Sequence, residues 1–157
     1  IFRVGTSRTI LSIVDASFQL QDRGWGGLMV IQRETGLRSY KEQGTQLKAE
    51  VTAPLLVSIF NPSSPLHDGA VIIQNDLIDA AACILPLTDS KMIDPEMGTR
   101  HRAALGISEE TDAIVVLVSE EKSKISVAED GRFSHIGMDQ IALQKYLNDR
   151  MFIASGD

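Results

Sequence analysis

Residues 70–85 read Ala70-Val71-Ile72-Ile73-Gln74-Asn75-Asp76-Leu77-Ile78-Asp79-Ala80-Ala81-Ala82-Cys83-Ile84-Leu85. Two largely apolar runs, 70–74 and 77–85, flank Asn75-Asp76, a pair suited to a tight turn, so the stretch predicts a β-hairpin. Upstream of it, Thr52 can cap a helix with Pro54 in its first turn. Leu55, Leu56, Ile59 and Phe60 give that helix a buried stripe, and Asn61-Pro62 stops it. Further upstream, 27–32 reads as a strand. Before it, Ile10, Leu11, Val14 and Phe18 recur at helical spacing in a helix that ends before Gly24. Downstream, Pro86 opens a polar loop, Thr99 reads as the cap of a helix running to about Glu110, and 113–118 is continuously apolar, as in a strand covered on both faces. An alternating strand over 124–128, a turn at Asp130-Gly131 and a C-terminal helix from about Asp139 follow. Strands and helices mix throughout, which predicts an α/β fold with one central mixed β-sheet flanked by helices. The expected organisation is a single domain over 1–157: a helical lead-in at 1–26, a core at 27–130 and a helical segment at 131–157.

Composition bounds what such a domain can do. At 157 residues it buries about 70% of the surface its unfolded chain exposes, enough for a core without staples. A net charge of −6 argues against a general nucleic-acid binder, which needs excess Lys and Arg to displace counterions, so any phosphate site must be locally basic. Cys83 is the single cysteine, which excludes an intramolecular disulfide and a cysteine zinc cluster and fits a reducing, cytoplasmic setting. Among Ala80, Ala81, Ala82, Ile84 and Leu85 it reads as a small core residue rather than a nucleophile. No apolar run approaches the roughly 20 residues of a membrane helix. The chain opens at Ile1 rather than a methionine, as a piece of a longer protein with an upstream anchor would.

Three segments carry candidate chemistry. In Pro65-Leu66-His67-Asp68-Gly69-Ala70, Gly69 and Ala70 let backbone approach a ligand, Asp68 can hold a hydroxyl or a metal, and His67 can ligate as neutral imidazole. Asp-Gly is equally an ordinary turn signal. In Gly98-Thr99-Arg100-His101-Arg102, two arginines and a histidine stand at a helix start, where the dipole favours acids; an anion such as a nucleotide triphosphate would relieve the frustration. Pairing with Asp94 and Glu96, or exposure to solvent, would also relieve it. Ser119-Glu120-Glu121 follows a buried strand at a position where α/β sheets collect ligands, and a carboxylate there could take Mg²⁺ or Mn²⁺. Two exposed glutamates also serve solubility alone.

Asp68-Gly69-Ala70 followed by Arg100-His101-Arg102 resembles the paired signature of diadenylate cyclase domains, and 65–73 and 98–108 resemble the membrane-associated subfamily in particular. The resemblance runs from about residue 27 to 121, and two motifs in this order are more specific than either alone. It implies a mixed sheet flanked by helices and an enzyme that condenses two ATP into cyclic di-AMP and pyrophosphate. It also implies a homodimer, with two protomers meeting face to face and Mn²⁺ or Mg²⁺ assisting. Carried over by position, Asp68 orients or activates the attacking 3′-hydroxyl while Gly69 and Ala70 line the nucleotide. Thr99, Arg100 and Arg102 hold phosphates, His101 shapes the helix start, and Leu85 offers backbone contacts to adenine. Ser119 and Glu121 complete the phosphate and metal side, with His67, Asp68 and Glu121 as metal ligands. The subfamily implies a cytoplasmic domain tethered to the inner face of the membrane. The sequence departs from the pattern at 4–9, and beyond Gly131 it carries little family signal.

Two other readings keep the same residues. A non-catalytic sensor would bind ATP without turnover, and a metal-dependent phosphohydrolase built on His67, Asp68, His101 and Glu121 would release phosphate or AMP.

Overall fold

The computed structural model describes residues 2–3, 7–91, 94 and 96–153. In chain order it contains β1 (Phe2–Arg3), α1 (Ser7–Arg23), β2 (Gly27–Ile31), α2 (Arg38–Glu42), β3 (Thr45–Glu50), α3 (Ala53–Phe60) and β4 (Ala70–Gln74). There follow β5 (Leu77–Cys83), α4 (Thr99–Glu110), β6 (Ile114–Ser119), β7 (Lys124–Glu129), β8 (Arg132–Ile136), α5 (Gln140–Met151) and β9 (Phe152–Ile153). Seven strands form one sheet in the order β3-β5-β4-β2-β6-β7-β8, and β1 pairs with β9 in a separate short ribbon. Within the large sheet β2 and β4 run parallel and every other pair is antiparallel, so the sheet is mixed, as expected.

The central strands are apolar along their whole length because both faces are covered. Alternation then sorts each strand between two cores. Met29, Ile31, Val71, Ile73, Val116 and Val118 point to the layer formed by α1, α3 and α5, while Leu28, Val30, Ile72, Val115 and Leu117 point to α4. α4 covers its face with Ala103, Ala104, Leu105 and Ile107. Thr52 caps α3 as expected, its hydroxyl accepting from Leu55 N–H at 3.3 Å. The β4–β5 hairpin turns through Asn75-Asp76, with Gln74 opposite Leu77 and Asn75 at φ 55°. Asp130 and Gly131, both at positive φ, close the β7–β8 hairpin.

Two boundaries differ from expectation. β5 ends at Cys83 rather than at 85, after a left-handed Ala82 (φ 54°) and a register shift against β4. Thr99 is the first residue of α4 and not its cap; the cap position is Gly98, and no side chain bonds the helix start. The unforeseen elements are α2, β3, β8 and the β1–β9 ribbon. Half of the departure from the family pattern at 4–9 falls outside the described residues, which include only 7–9 of it.

The topology decides where a site can be. Because β2 and β4 are parallel, both begin at one end of the sheet, and their antiparallel neighbours β6 and β5 finish there, Gly27 pairing with Val118 and Ala70 with Cys83. Gly26, Asp68-Gly69, Ile84-Leu85 and Ser119–Glu121 therefore gather at this end. The segment after β5 crosses α4 closely: a Cβ on Gly106 would lie 1.9 Å from the Pro86 carbonyl oxygen, and Thr88 N–H donates to the Arg102 carbonyl at 3.0 Å.

Candidate active site

At this end of the sheet a cavity of about 430 Å³ opens between the Asp68 loop, the start of α4 and the exit of β6. Its walls include Asp68 and Gly69; Leu28, Leu85 and Leu87; Thr99, Arg100 and His101; and Ser119, Glu120 and Glu121. Gly69 is required on two counts. Its φ is +100°, a region disfavoured for residues with a Cβ, and a Cβ there would stand 2.8 Å from the Cys83 carbonyl oxygen. The loop thus presses backbone to backbone onto the end of β5, leaving the Asp68 side chain exposed at the cavity wall.

In the same cavity as Asp68, the first turn of α4 carries no acidic residue and, among the described residues, no side-chain cap, so its leading N–H groups have no helical partners. Arg100 lies beside it, one-quarter exposed, its Nη1 3.3 Å from Glu120 Oε2. Glu121 stands close to the same turn: a Cβ on Gly98 would be 3.9 Å from Glu121 Oε1. Ser119, buried at the end of β6, donates to Glu121 Oε2 at 3.5 Å and accepts from Lys122 N–H at 3.2 Å, which fixes the glutamate's approach. His101 is 9% exposed and edge-on to Phe133 at 5.8 Å. Burial lowers its pKa below the usual histidine value, against an upward pull from Glu121, and Lys122 lowers it further. It is a neutral wall at pH 7.

The third side is apolar. Leu28 and Leu85 are buried, Ile84 and Leu87 form exposed lips at 67% and 52%, and Ala103 lies behind them. Cys83 also borders the cavity. Burial pushes its thiol up to about 11, with Lys41 pulling the other way, so it is protonated and inert, in keeping with a core role.

Of the residues expected at the site, the structure brings Asp68, Gly69, Leu85, Thr99, Arg100, His101, Ser119 and Glu121 to one cavity. Three depart from it. Ala70 is fully buried in the α4-side core and lines no part of the cavity, because the strand alternation turns it inward. Arg102 is likewise absent from the lining, although it shares the turn with Arg100. His67 is also outside it; its Nδ1–H donates to the Ser64 carbonyl oxygen at 2.7 Å, since a carbonyl oxygen can only accept. The expected trio His67, Asp68 and Glu121 is not assembled: among the described residues no three His, Cys, Asp or Glu side chains are grouped to hold a metal. Asp68 and Glu121 nonetheless offer hard oxygen donors in one cavity, which suits an ion sharing its shell with substrate phosphates. Sequence reasoning missed Leu28, Ile84, Leu87 and Ala103, and it singled out Glu120 only as part of Ser119-Glu120-Glu121. The signal available for two of them was the apolar run Ile84-Leu85 and Leu87 on either side of Pro86, where the chain turns polar.

Residues 14–133 match the model of the DAC family, described as the nucleotide-binding domain of the DisA bacterial checkpoint controller. The chain belongs to the DAC family. Another member, the cyclic di-AMP synthase CdaA of Bacillus subtilis, is 48% identical over 140 residues, which is 89% of this chain and 51% of that protein. The diadenylate cyclase CdaS of Bacillus thuringiensis is 51% identical over 119 residues, 76% of this chain and 59% of that one. This DAC chain thus spans between half and three-fifths of these relatives. A double mutant of DacA from Staphylococcus aureus superposes with a TM-score of 0.89 at 43% identity, over 92% of this chain and 95% of that one, and shares the α/β fold. No helix of this DAC domain, among the described residues, is long and apolar enough to cross a membrane.

Proposed function

We propose that this DAC domain is a diadenylate cyclase that joins two ATP into cyclic di-AMP, releasing two pyrophosphates. The observation that carries the reading is one cavity holding an exposed carboxylate, Asp68, across from a helix start furnished with Arg100 and free N–H groups. Such a site divides the labour that nucleotidyl transfer needs, between positioning a hydroxyl and stabilising phosphate charge, without a protein nucleophile. The apolar wall of Leu28, Leu85 and Leu87 would take the adenine. Thr99, Arg100 and the α4 amides would hold the phosphates, with Ser119 orienting Glu121 at their side. Asp68 would accept the 3′-hydroxyl proton as that oxygen attacks an α-phosphorus and the bond to the bridging oxygen of pyrophosphate breaks.

A cavity of this volume suits one nucleotide, so the second ATP would come on a second protomer facing the first. Mn²⁺ or Mg²⁺ would supply Lewis-acid stabilisation of phosphate charge, held by Asp68 and Glu121 together with substrate oxygens. In the full-length protein the domain would work at the inner face of the cell membrane, tethered through a preceding segment.

The test is incubation of the protein with ATP and either metal, followed by chromatography. Cyclic di-AMP is expected, and Asp68→Asn should lower its rate by about 100-fold or more while ATP binding and the melting temperature hold. Bound ATP without product would indicate a sensor; phosphate or AMP as the product would indicate a hydrolase.

A further inference from the structure

Arg100 is held in place from two sides, and one of them is a glycine outside both sequence motifs. Gly26 is buried immediately before β2, the strand that runs under the cavity. A Cβ at this position would lie 2.4 Å from Arg100 Nη1, 2.8 Å from Cζ and 3.3 Å from Nε. The guanidinium group therefore packs directly against Gly26. From the other side Glu120 Oε2 takes Nη1 at 3.3 Å. Gly26 does not stand in the positive-φ region, so an alanine could adopt its backbone without strain. The missing side chain leaves room for Arg100, and nothing about the local turn demands it.

We infer that Gly26 is a positioning residue for Arg100: its bare backbone is the floor that sets the guanidinium at the phosphate end of the cavity. This rests on the reading of Arg100 as a phosphate-holding group. The geometry makes the role separable from folding. The atoms a Cβ would meet are the far end of a flexible, partly exposed side chain, so alanine would displace the guanidinium rather than disrupt the core. A displaced arginine no longer meets the phosphates where the helix amides do, and a shift near 1 Å in a positioning group costs up to about 100-fold.

The experiment is a double-mutant cycle with Gly26→Ala and Arg100→Ala in the cyclase assay, with melting curves for each protein. Gly26→Ala should melt close to the wild type, lower kcat/KM for ATP by about 10- to 100-fold, and cost nothing further on the Arg100→Ala background. Wild-type kinetics for Gly26→Ala would overturn the inference, as would an equal loss with and without Arg100. If Gly26→Ala melts early, recovery of stability in the double variant would identify Arg100 as the group struck; no recovery would also overturn it. Full activity in Arg100→Ala alone would defeat the phosphate-holding reading itself, whatever Gly26→Ala does.

Discussion

His101 shows how one residue can be visible in a sequence for the wrong reason. In Arg100-His101-Arg102 it reads as part of a basic cluster, yet burial against Phe133 keeps it neutral and makes it packing. Its lowered pKa has a consequence for stability. The unfolded chain binds a proton at His101 near the ordinary value of 6.5, and the folded chain resists it until lower pH. The stability that His101 contributes is thus fully present above that value and is lost as pH falls through the folded pKa. His101→Asn should show a smaller drop in melting temperature between pH 7.5 and pH 5 than the wild type does; an equal drop would mean that other groups account for it. Arg100, by contrast, was legible as candidate chemistry because an arginine does not suit a helix start on structural grounds alone. Asp68 read equally as part of an Asp-Gly turn and gained weight only beside the second motif. Arg102 and Ala70 fit the same motif but point elsewhere, and which way a side chain turns depends on helix phase and strand alternation set by neighbours far along the chain. Gly26 left no trace in the sequence, since a glycine before a strand is ordinary until the arginine lying on it is seen.

At the scale of elements, legibility followed burial. The strands at the centre of the sheet announced themselves because both faces are apolar, and the β4–β5 and β7–β8 turns did so through Asn75-Asp76 and Asp130-Gly131. The edge strands did not. β3 reads Thr45-Gln46-Leu47-Lys48-Ala49-Glu50, with Lys48 at φ 52° and a register shift against β5, and β8 is mostly exposed. Charge and irregularity of this kind keep an edge from pairing with another chain, and they also erase the period by which a strand is recognised. α4 carries a different kind of constraint. Its Gly106 lies under the Pro86 carbonyl, which lets the β5 exit cross the helix and bring Leu85 and Leu87 to the cavity. Gly106→Ala would set a Cβ 1.9 Å from a backbone oxygen, a clash that no rotamer change relieves. A loss of roughly 3 kcal/mol is expected in urea unfolding, with ATP affinity falling as the apolar wall moves. Wild-type stability would show that the crossing segment is free to move away.

On the proposed cyclase reading, the molecule as a whole would offer half of what a condensation of two nucleotides needs. The cavity of about 430 Å³ has one helix start at which phosphates would sit, and Asp68 is exposed at its wall. On that reading an α-phosphate at α4 and a 3′-hydroxyl from another nucleotide would meet when a second cavity is brought up to the first, most simply by a second copy of the domain. The rate should then depend on protein concentration in a way that a self-contained site would not. Specific activity at saturating ATP and metal should hold at high protein concentration and fall in proportion to protein once the dimer dissociates, with light scattering on the same samples reporting the mass. The midpoint of the activity loss should coincide with the monomer–dimer midpoint. Undiminished specific activity in samples that scatter as monomers would show that one chain completes the reaction, and the exposed Asp68 would then need another role.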